Sequence, residues 1–398
     1  MEQEAPPSDA PSWGGDFWDD DVILDPYPHY ENLRELGPAV WLTRHDAWAI
    51  TRYDDVKAAL LSPEVFSSAD GCMMNDPMNA AAQGIMLCSD DPGHLAMRRL
   101  FAKPLQPKAL ESLRPRLKAL AEDRLDELAG RQQFDAVAEL AHLLPLAVVT
   151  QLVGLDDEGR DHMLEWAAGI FNAFGPLPNA RTEAGLATAQ QVISYVLERV
   201  ERRNLVADGW GAALFVAVDQ EKISEQTARL MLVDYLTPAL DTTINATSAA
   251  IELFAAHPDQ WRLLREDLSL IPHAINEVVR LESPIRAFAR SVRRDIRIGD
   301  AELRTGQRAL MLYACANRDP RKFADPTQFD ITRRAGDHLG FGMGTHLCAG
   351  MHLAKLEISV LLEAMALRVG VIRTARAERQ PHNTLRGLAS LETSFVPG

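Results

Sequence analysis

Cysteine is scarce in this 398-residue chain: the four, at positions 72, 88, 315 and 348, include no C-x-x-C pair. So few and so scattered, they support neither a zinc knuckle nor a disulfide framework. Cys72, Cys88 and Cys315 are read as inert buried hydrophobes, the usual fate of a free cysteine. Long apolar runs are also missing. No stretch of 18 or more apolar residues occurs, so no segment reads as a membrane-spanning helix. Positive charge is short as well, with 41 Lys+Arg against 56 Asp+Glu and a net charge of −15. That balance argues against nucleic acid as the main partner, because phosphate binding needs a basic footprint. The N-terminus, MEQEAPPSDAPSWGGDFWDD, has no basic flank and no apolar core. It reads as a loose leader over 1–20 and not as a signal peptide or anchor. The expectation is a soluble, cytoplasmic protein with one domain over 21–398.

What is present is a sizeable core, since 47% of residues are hydrophobic. Alternating apolar residues in AVWLTRHDAWAITRY (39–53) predict a hairpin turning near His45-Asp46. From about 90 to 283 the pattern is helical. ALESLRPRLKALAEDRLDELAG (109–130) repeats apolar residues at three- and four-residue steps and stops at Gly130. Segments near 134–154, 181–203 and 223–256 behave alike. After Pro284, AFARSVRRDIRI and AELRTGQRALMLYA read as short strands with turns at Gly299-Asp300 and Thr305-Gly306. A long helix begins near 347. The fold class is mainly α with a small β portion, without the alternation of a βαβ protein.

The most specific chemistry lies in HLGFGMGTHLCAG (338–350), a glycine-dense loop that runs into a helix. Cys348 is thereby predicted at a helix N-terminus, where the macrodipole and free N–H groups favour a thiolate. Gly342, Gly344 and Gly350 let the backbone pass close to something large and flat. A lone cysteine beside a glycine turn is usually just buried. Here Phe341, Gly342, Gly344, His346, Cys348 and Gly350 together spell F-G-x-G-x-H-x-C-x-G, and a thiolate so presented suits a haem iron.

On these residues the chain resembles the cytochrome P-450 superfamily of haem-thiolate monooxygenases over nearly its whole length. The resemblance implies the fold of that family, a triangular helical prism with a small β-rich portion. It implies haem b (iron protoporphyrin IX) as cofactor, with Cys348 as the axial metal ligand and Phe341 packed on the thiolate side. Glu277 and Arg280 in INEVVR match the E-x-x-R pair that braces the haem-binding core. Alone, such a pair is usually a solvated surface bridge. His94 and Arg98 of DDPGHLAMR share one helix face. With Arg290 and His346 they match the donors that hold the haem propionates, and carboxylates in a low-dielectric site need such donors.

LTPALDTTINATSAA (236–250) sets a proline inside a helical pattern, where it removes a backbone donor and clashes with the preceding turn. PALDTT aligns with the family's oxygen-side helix, so Asp241 and Thr242 match the acid–alcohol pair that relays protons during dioxygen reduction. Pro238-Ala239 replaces the usual small-Gly step. Pro238, lacking an N–H, is expected to open the helix where relatives use glycine.

Within the superfamily the segments FNAFGP, LESPIRAFAR and NTLRGLASL resemble those of bacterial enzymes that oxidise para-substituted benzoates or O-demethylate methoxybenzoates. That resemblance places Leu87, Phe171, Phe174, Asp234, Ile285 and Phe288 around the substrate. Such relatives hold the benzoate carboxylate with arginine and serine, but AAQGIML (81–87) has no arginine and Val233-Asp234 stands where an Arg-Ser pair is expected. A carboxylate there repels an anion. A phenol, an aromatic ether or a cationic aromatic therefore fits better than a benzoate.

No flavin, nicotinamide or iron–sulfur motif is present, so NAD(P)H electrons are expected through a flavin reductase and an iron–sulfur ferredoxin. Arg99, Lys103, Arg333, Arg334, His352 and Lys355 are the residues expected to form its dock. Two other readings use the same cysteine. One is a peroxide-driven peroxygenase, whose usual Arg-Pro is Thr237-Pro238 here. The other is a haem-thiolate sensor, which needs no Asp-Thr relay.

Overall fold

The computed structural model describes residues 10–398 other than 154–158, 160, 208 and 237. Helices dominate, and they pack around Met351–Arg368, whose Leu353, Leu356, Val360, Leu361 and Ala364 are buried. This helix lies against Arg114–Leu128, Ile271–Glu282 and Asp241–Ala256. Its apolar side chains do not keep to one stripe, since Leu362 and Met365 are buried as well. An element apolar on several faces belongs in a core and not on a surface.

The predicted hairpin forms from strands Ala39–Leu42 and Ala47–Ile50, paired antiparallel with Trp41 opposite Trp48. Asp46 takes the turn at φ +46°. These strands sit in a six-stranded sheet ordered 12–13, 39–42, 47–50, 308–311, 288–292, 66–67. Gly299 (φ +59°) and Gly306 (φ +90°) occupy the two predicted turns.

Three expectations change. Residues 12–13 are not part of a loose leader: Ser12–Trp13 pairs parallel with Trp41-Leu42, and Phe17 and Trp18 are buried. Aromatic side chains in an acidic segment found an apolar surface to cover, which local composition does not reveal. The long C-terminal hairpin, Val369–Arg379 with Leu388–Pro397, had no sequence signal, because most of its first strand is exposed and polar. The predicted continuous helix 223–256 is two helices, Glu225–Leu236 and Asp241–Ala256, with a non-helical turn at 238–240. Proline removes the N–H that would close on the Asp234 carbonyl, and the helix restarts three residues later.

Candidate active site

The loop before Met351–Arg368 carries Cys348, two residues ahead of the capping Gly350. Its N–H donates to the Phe341 carbonyl at 2.8 Å, which closes the loop on itself. Gly344 sits at φ +70°, and a Cβ there would stand 2.7 Å from the Leu60 carbonyl oxygen. Its role is therefore tight packing on Leu60, while Gly342 and Gly350 line the central cavity. Cys348 faces that cavity, so its sulfur is exposed even though protein surrounds it. That surrounding protein desolvates the thiol and raises its pKa. The Gly350 N–H, the Arg98 charge and the Met351 N–H pull the other way and do not prevail. The helix terminus alone thus falls short of the expected thiolate, and a metal cation bound at the sulfur would favour it.

Around the same cavity stand His94, Arg98, Arg290, Phe341 and His346. His94 comes from helix Gly93–Phe101 and Arg290 from strand Phe288–Val292. The His94 and His346 rings lie 4.4 Å apart between centroids. Both His94 nitrogens and Nε2 of His346 are buried with no hydrogen-bond partner. Asp91 Oδ1 lies 3.4 Å from His94 Nδ1 without hydrogen-bond geometry, and burial lowers the pKa of that imidazole. Burial pushes His346 down to about 3, helped by the Arg290, His94 and Arg98 charges. Arg98 donates to the Leu347 carbonyl and Arg290 Nη1 to its neighbour Ala289 at 2.7 Å. Unpartnered buried donors beside two guanidiniums, with a cysteine on the same cavity, fit a flat dianionic ligand bound through its metal. Haem has these properties.

Glu277 and Arg280 do not lie at the surface; both side chains are fully buried. Arg280 Nε and Nη2 reach the carboxylate at 2.7 and 2.8 Å, and Nη1 reaches the Asn317 and Pro326 carbonyls at 2.9 and 2.7 Å. Arg333 Nε adds a third contact to Glu277 Oε1 at 3.1 Å. Arg333 is therefore tied inward and leaves the expected ferredoxin dock. Lys355 is half-buried above the Phe341 ring at 5.3 Å. Arg99, Lys103, Arg334 and His352 remain exposed.

The opposite wall is the broken helix. Pro238, Ala239, Thr242, Thr243 and Ala246 line the cavity there, and Thr242 Oγ1 donates to the Pro238 carbonyl at 2.7 Å. Asp241 is not among the lining residues; burial lifts its carboxyl to about 7. Leu87, Phe171, Phe174, Asp234, Ile285 and Phe288 all line the cavity. So do Met73, Met78, Met86 and Trp210, which the sequence did not single out because an apolar residue in a pocket looks like one in a core.

Asp234 is 8% exposed, and its Oδ2 accepts the Met86 N–H at 3.1 Å. Burial raises its carboxyl to about 7, against the lowering effect of the Met86 and Leu87 backbone N–H groups.

A cysteine aimed at a cavity, a ring of anion donors and an alcohol on the facing helix define a haem-thiolate oxidoreductase. The cytochrome P450 family model matches residues 212–369. Cytochrome P450 CYP199A2 of Rhodopseudomonas palustris is 38% identical over 98% of this chain and 95% of its own. The 6-deoxyerythronolide B hydroxylase of Saccharopolyspora erythraea is 31% identical over 89% and 93%. Among solved structures, P450BioI in complex with a hexadec-9Z-enoic acid-ligated acyl carrier protein superposes with a TM-score of 0.85. It is 26% identical, over 95% of this chain and 99% of that one. The chain belongs to the cytochrome P450 family and is a haem-thiolate monooxygenase. Among the described residues no helix is long and apolar enough to cross a membrane.

Proposed function

We propose that this monooxygenase hydroxylates or O-demethylates a small aromatic substrate, a phenol or aromatic ether in preference to a benzoate. The observation that carries the reading is Asp234. It is a buried carboxyl on the wall of a cavity that Leu87, Phe171, Phe174, Ile285 and Phe288 also line. A benzoate would bring a second carboxylate beside it, while the cavity's arginines, Arg98 and Arg290, are assigned to the haem propionates. A phenol O–H can donate to Asp234, and a neutral ether adds no charge.

Haem, when bound, activates dioxygen with two electrons and two protons, placing one oxygen atom in the substrate and releasing the other as water. Cys348 would hold its iron, Phe341 would pack on the thiolate side, and Gly350 would leave the ring room. His94, Arg98, Arg290 and His346 would hold its propionates. A carboxylate at the two histidines would receive the N–H donors that otherwise stay orphaned. On the facing wall, the Thr242 hydroxyl keeps its proton on the Pro238 carbonyl. It can swing that proton into the cavity, where it meets the oxygen being reduced. Asp241, with a carboxyl lifted to about 7 by burial, would exchange protons near neutral pH behind that wall. The turn made by Pro238 leaves the space that a continuous helix would fill. Electrons come from a separate ferredoxin and flavin reductase, with Arg99, Lys103, Arg334 and His352 as the exposed basic residues available to an acidic partner.

The experiment compares haem spectral shifts for matched benzoates, phenols and methoxyarenes, then scores product with NADH, a ferredoxin and a reductase. Phenols or ethers should bind more tightly than the matched benzoates and yield product. Tight benzoate binding refutes the substrate reading. Product formed with peroxide alone, and none with the electron chain, points to the peroxygenase.

A further inference from the structure

Two of the cysteines read from sequence as inert meet in the fold. Cys72 precedes helix Asp76–Ala81, and Cys88 ends the short helical turn Met86–Cys88. Both are buried, and their sulfurs lie 2.7 Å apart. This is some tenths of an ångström longer than the ~2.05 Å of a disulfide bond. A third sulfur, Met73 Sδ, lies 3.5 Å from Cys72 Sγ and 3.8 Å from Cys88 Sγ.

The backbone around the thiols is well held. Asn79 Oδ1 accepts the N–H groups of Cys72 and Met73 at 3.1 and 3.0 Å, and its amide donates to the Met73 carbonyl at 3.0 Å. The Cys72 carbonyl accepts from Ala289 N at 3.2 Å, and Cys88 N donates to Ile85 at 3.0 Å. The two thiols therefore bracket one loop whose ends are already fixed. Within that loop Met73, Met78, Ile85, Met86 and Leu87 line the substrate cavity, and the Met86 N–H holds Asp234.

We propose that Cys72 and Cys88 form a reversible oxidation site, a disulfide that clamps the 72–88 wall of the substrate cavity. The oxidant is hydrogen peroxide, the product formed when dioxygen is reduced by two electrons without substrate being oxidised. The two cysteines lie just behind the cavity wall, against Met73, which lines it, and peroxide is small and uncharged enough to reach them from that side. The two sulfurs touch, so oxidation of one places it within reach of the other. Cys72 is assigned as the sulfur that attacks. It breaks the O–O bond, takes one oxygen as a sulfenic acid and releases the other as water. Cys88 then attacks the Cys72 sulfur: the S–S bond forms, the S–O bond breaks, and the hydroxyl leaves as a second water with the Cys88 proton. Two thiols lose two electrons and one peroxide becomes two waters.

The test uses the reduced holoprotein treated with a small excess of hydrogen peroxide, with the carbon-monoxide spectrum scoring intact haem. Peptide mapping should show residues 72 and 88 in one linked species, two hydrogens lighter and reversed by dithiothreitol. Tm should rise by several degrees, and the substrate-binding midpoint should shift several-fold. Cys72→Ser and Cys88→Ser should each abolish all three changes, and Cys315→Ser should keep them. Alkylation of both thiols after treatment, or oxygen added to Met73 in place of a linkage, overturns the proposal. A linkage that moves neither Tm nor the binding midpoint overturns the clamp.

Discussion

Glu277 and Asp234 are both buried carboxylates, and the fold treats them in opposite ways. Glu277 is saturated: Arg280 reaches it twice, Arg333 once, and the Asp330 N–H lies 3.3 Å from Oε1. Asp234 faces a cavity and has only the Met86 and Leu87 backbone N–H groups to offset its burial. A buried charge with every lone pair satisfied is a brace. One left short of partners on a cavity wall costs stability unless a ligand or a proton completes it. Sequence neighbours do not distinguish the two, because the partners of Glu277 include residues more than fifty positions away.

The sharpest way to break this contrast is to unpair the brace. Arg280→Met leaves Glu277 with Arg333 as its one cation and the Asp330 N–H, and should cost about 3–5 kcal/mol, read by denaturant unfolding and by loss of haem from the purified protein. A change below about 1 kcal/mol would mean the buried pair braces nothing.

Asp234 should behave with the opposite sign. Its folded pKa of about 7 lies above the unfolded value near 3.8. The unfolded chain therefore releases this proton at lower pH than the native state, and stability falls as pH rises between those values. Asp234→Asn should stabilise the substrate-free protein by up to ~4 kcal/mol at pH 8, with most of the gain gone near pH 4. Asp241 titrates in the same window, so Asp241→Asn in the Asp234→Asn background should flatten the slope further. A gain that does not change with pH would show that Asp234 carries no raised pKa.

Thr242→Val removes one hydroxyl donor and should cost about 1 kcal/mol in stability. Product formed per NADH should fall much more than that small change suggests. Unchanged coupling would remove Thr242 from proton delivery. Pro238→Ala should change stability least, by roughly 1 kcal/mol or less, while raising wasted oxygen consumption or slowing turnover. If rate and coupling both hold, the turn at 238–240 is an accident of packing.

Much of the site was legible because it is written locally. F-G-x-G-x-H-x-C-x-G spans ten adjacent residues, and its glycines, histidine and cysteine act through backbone geometry that short-range sequence sets. His94 and Arg98 were also legible, being one turn apart on one helix. Less legible were features made by distance. Arg333 looked like a surface cation until Glu277 was found beneath it. The methionines at 73, 78 and 86 looked like core. Phe17 and Trp18 sat in an acidic stretch that read as loose, because the surface they cover comes from other segments, including Tyr30 and Asn383.

The haem-thiolate family could be read from residue order, since a cysteine on a glycine loop and an acid–alcohol pair near a helix-breaking proline are local patterns. Only the tertiary structure decided what surrounds each charge and each thiol. It set Glu277 among arginines, left Asp234 on an apolar wall, and carried Cys72 and Cys88 to 2.7 Å of one another. Burial and partner distance govern the energy of a charge or a thiol, and both are properties of the folded chain.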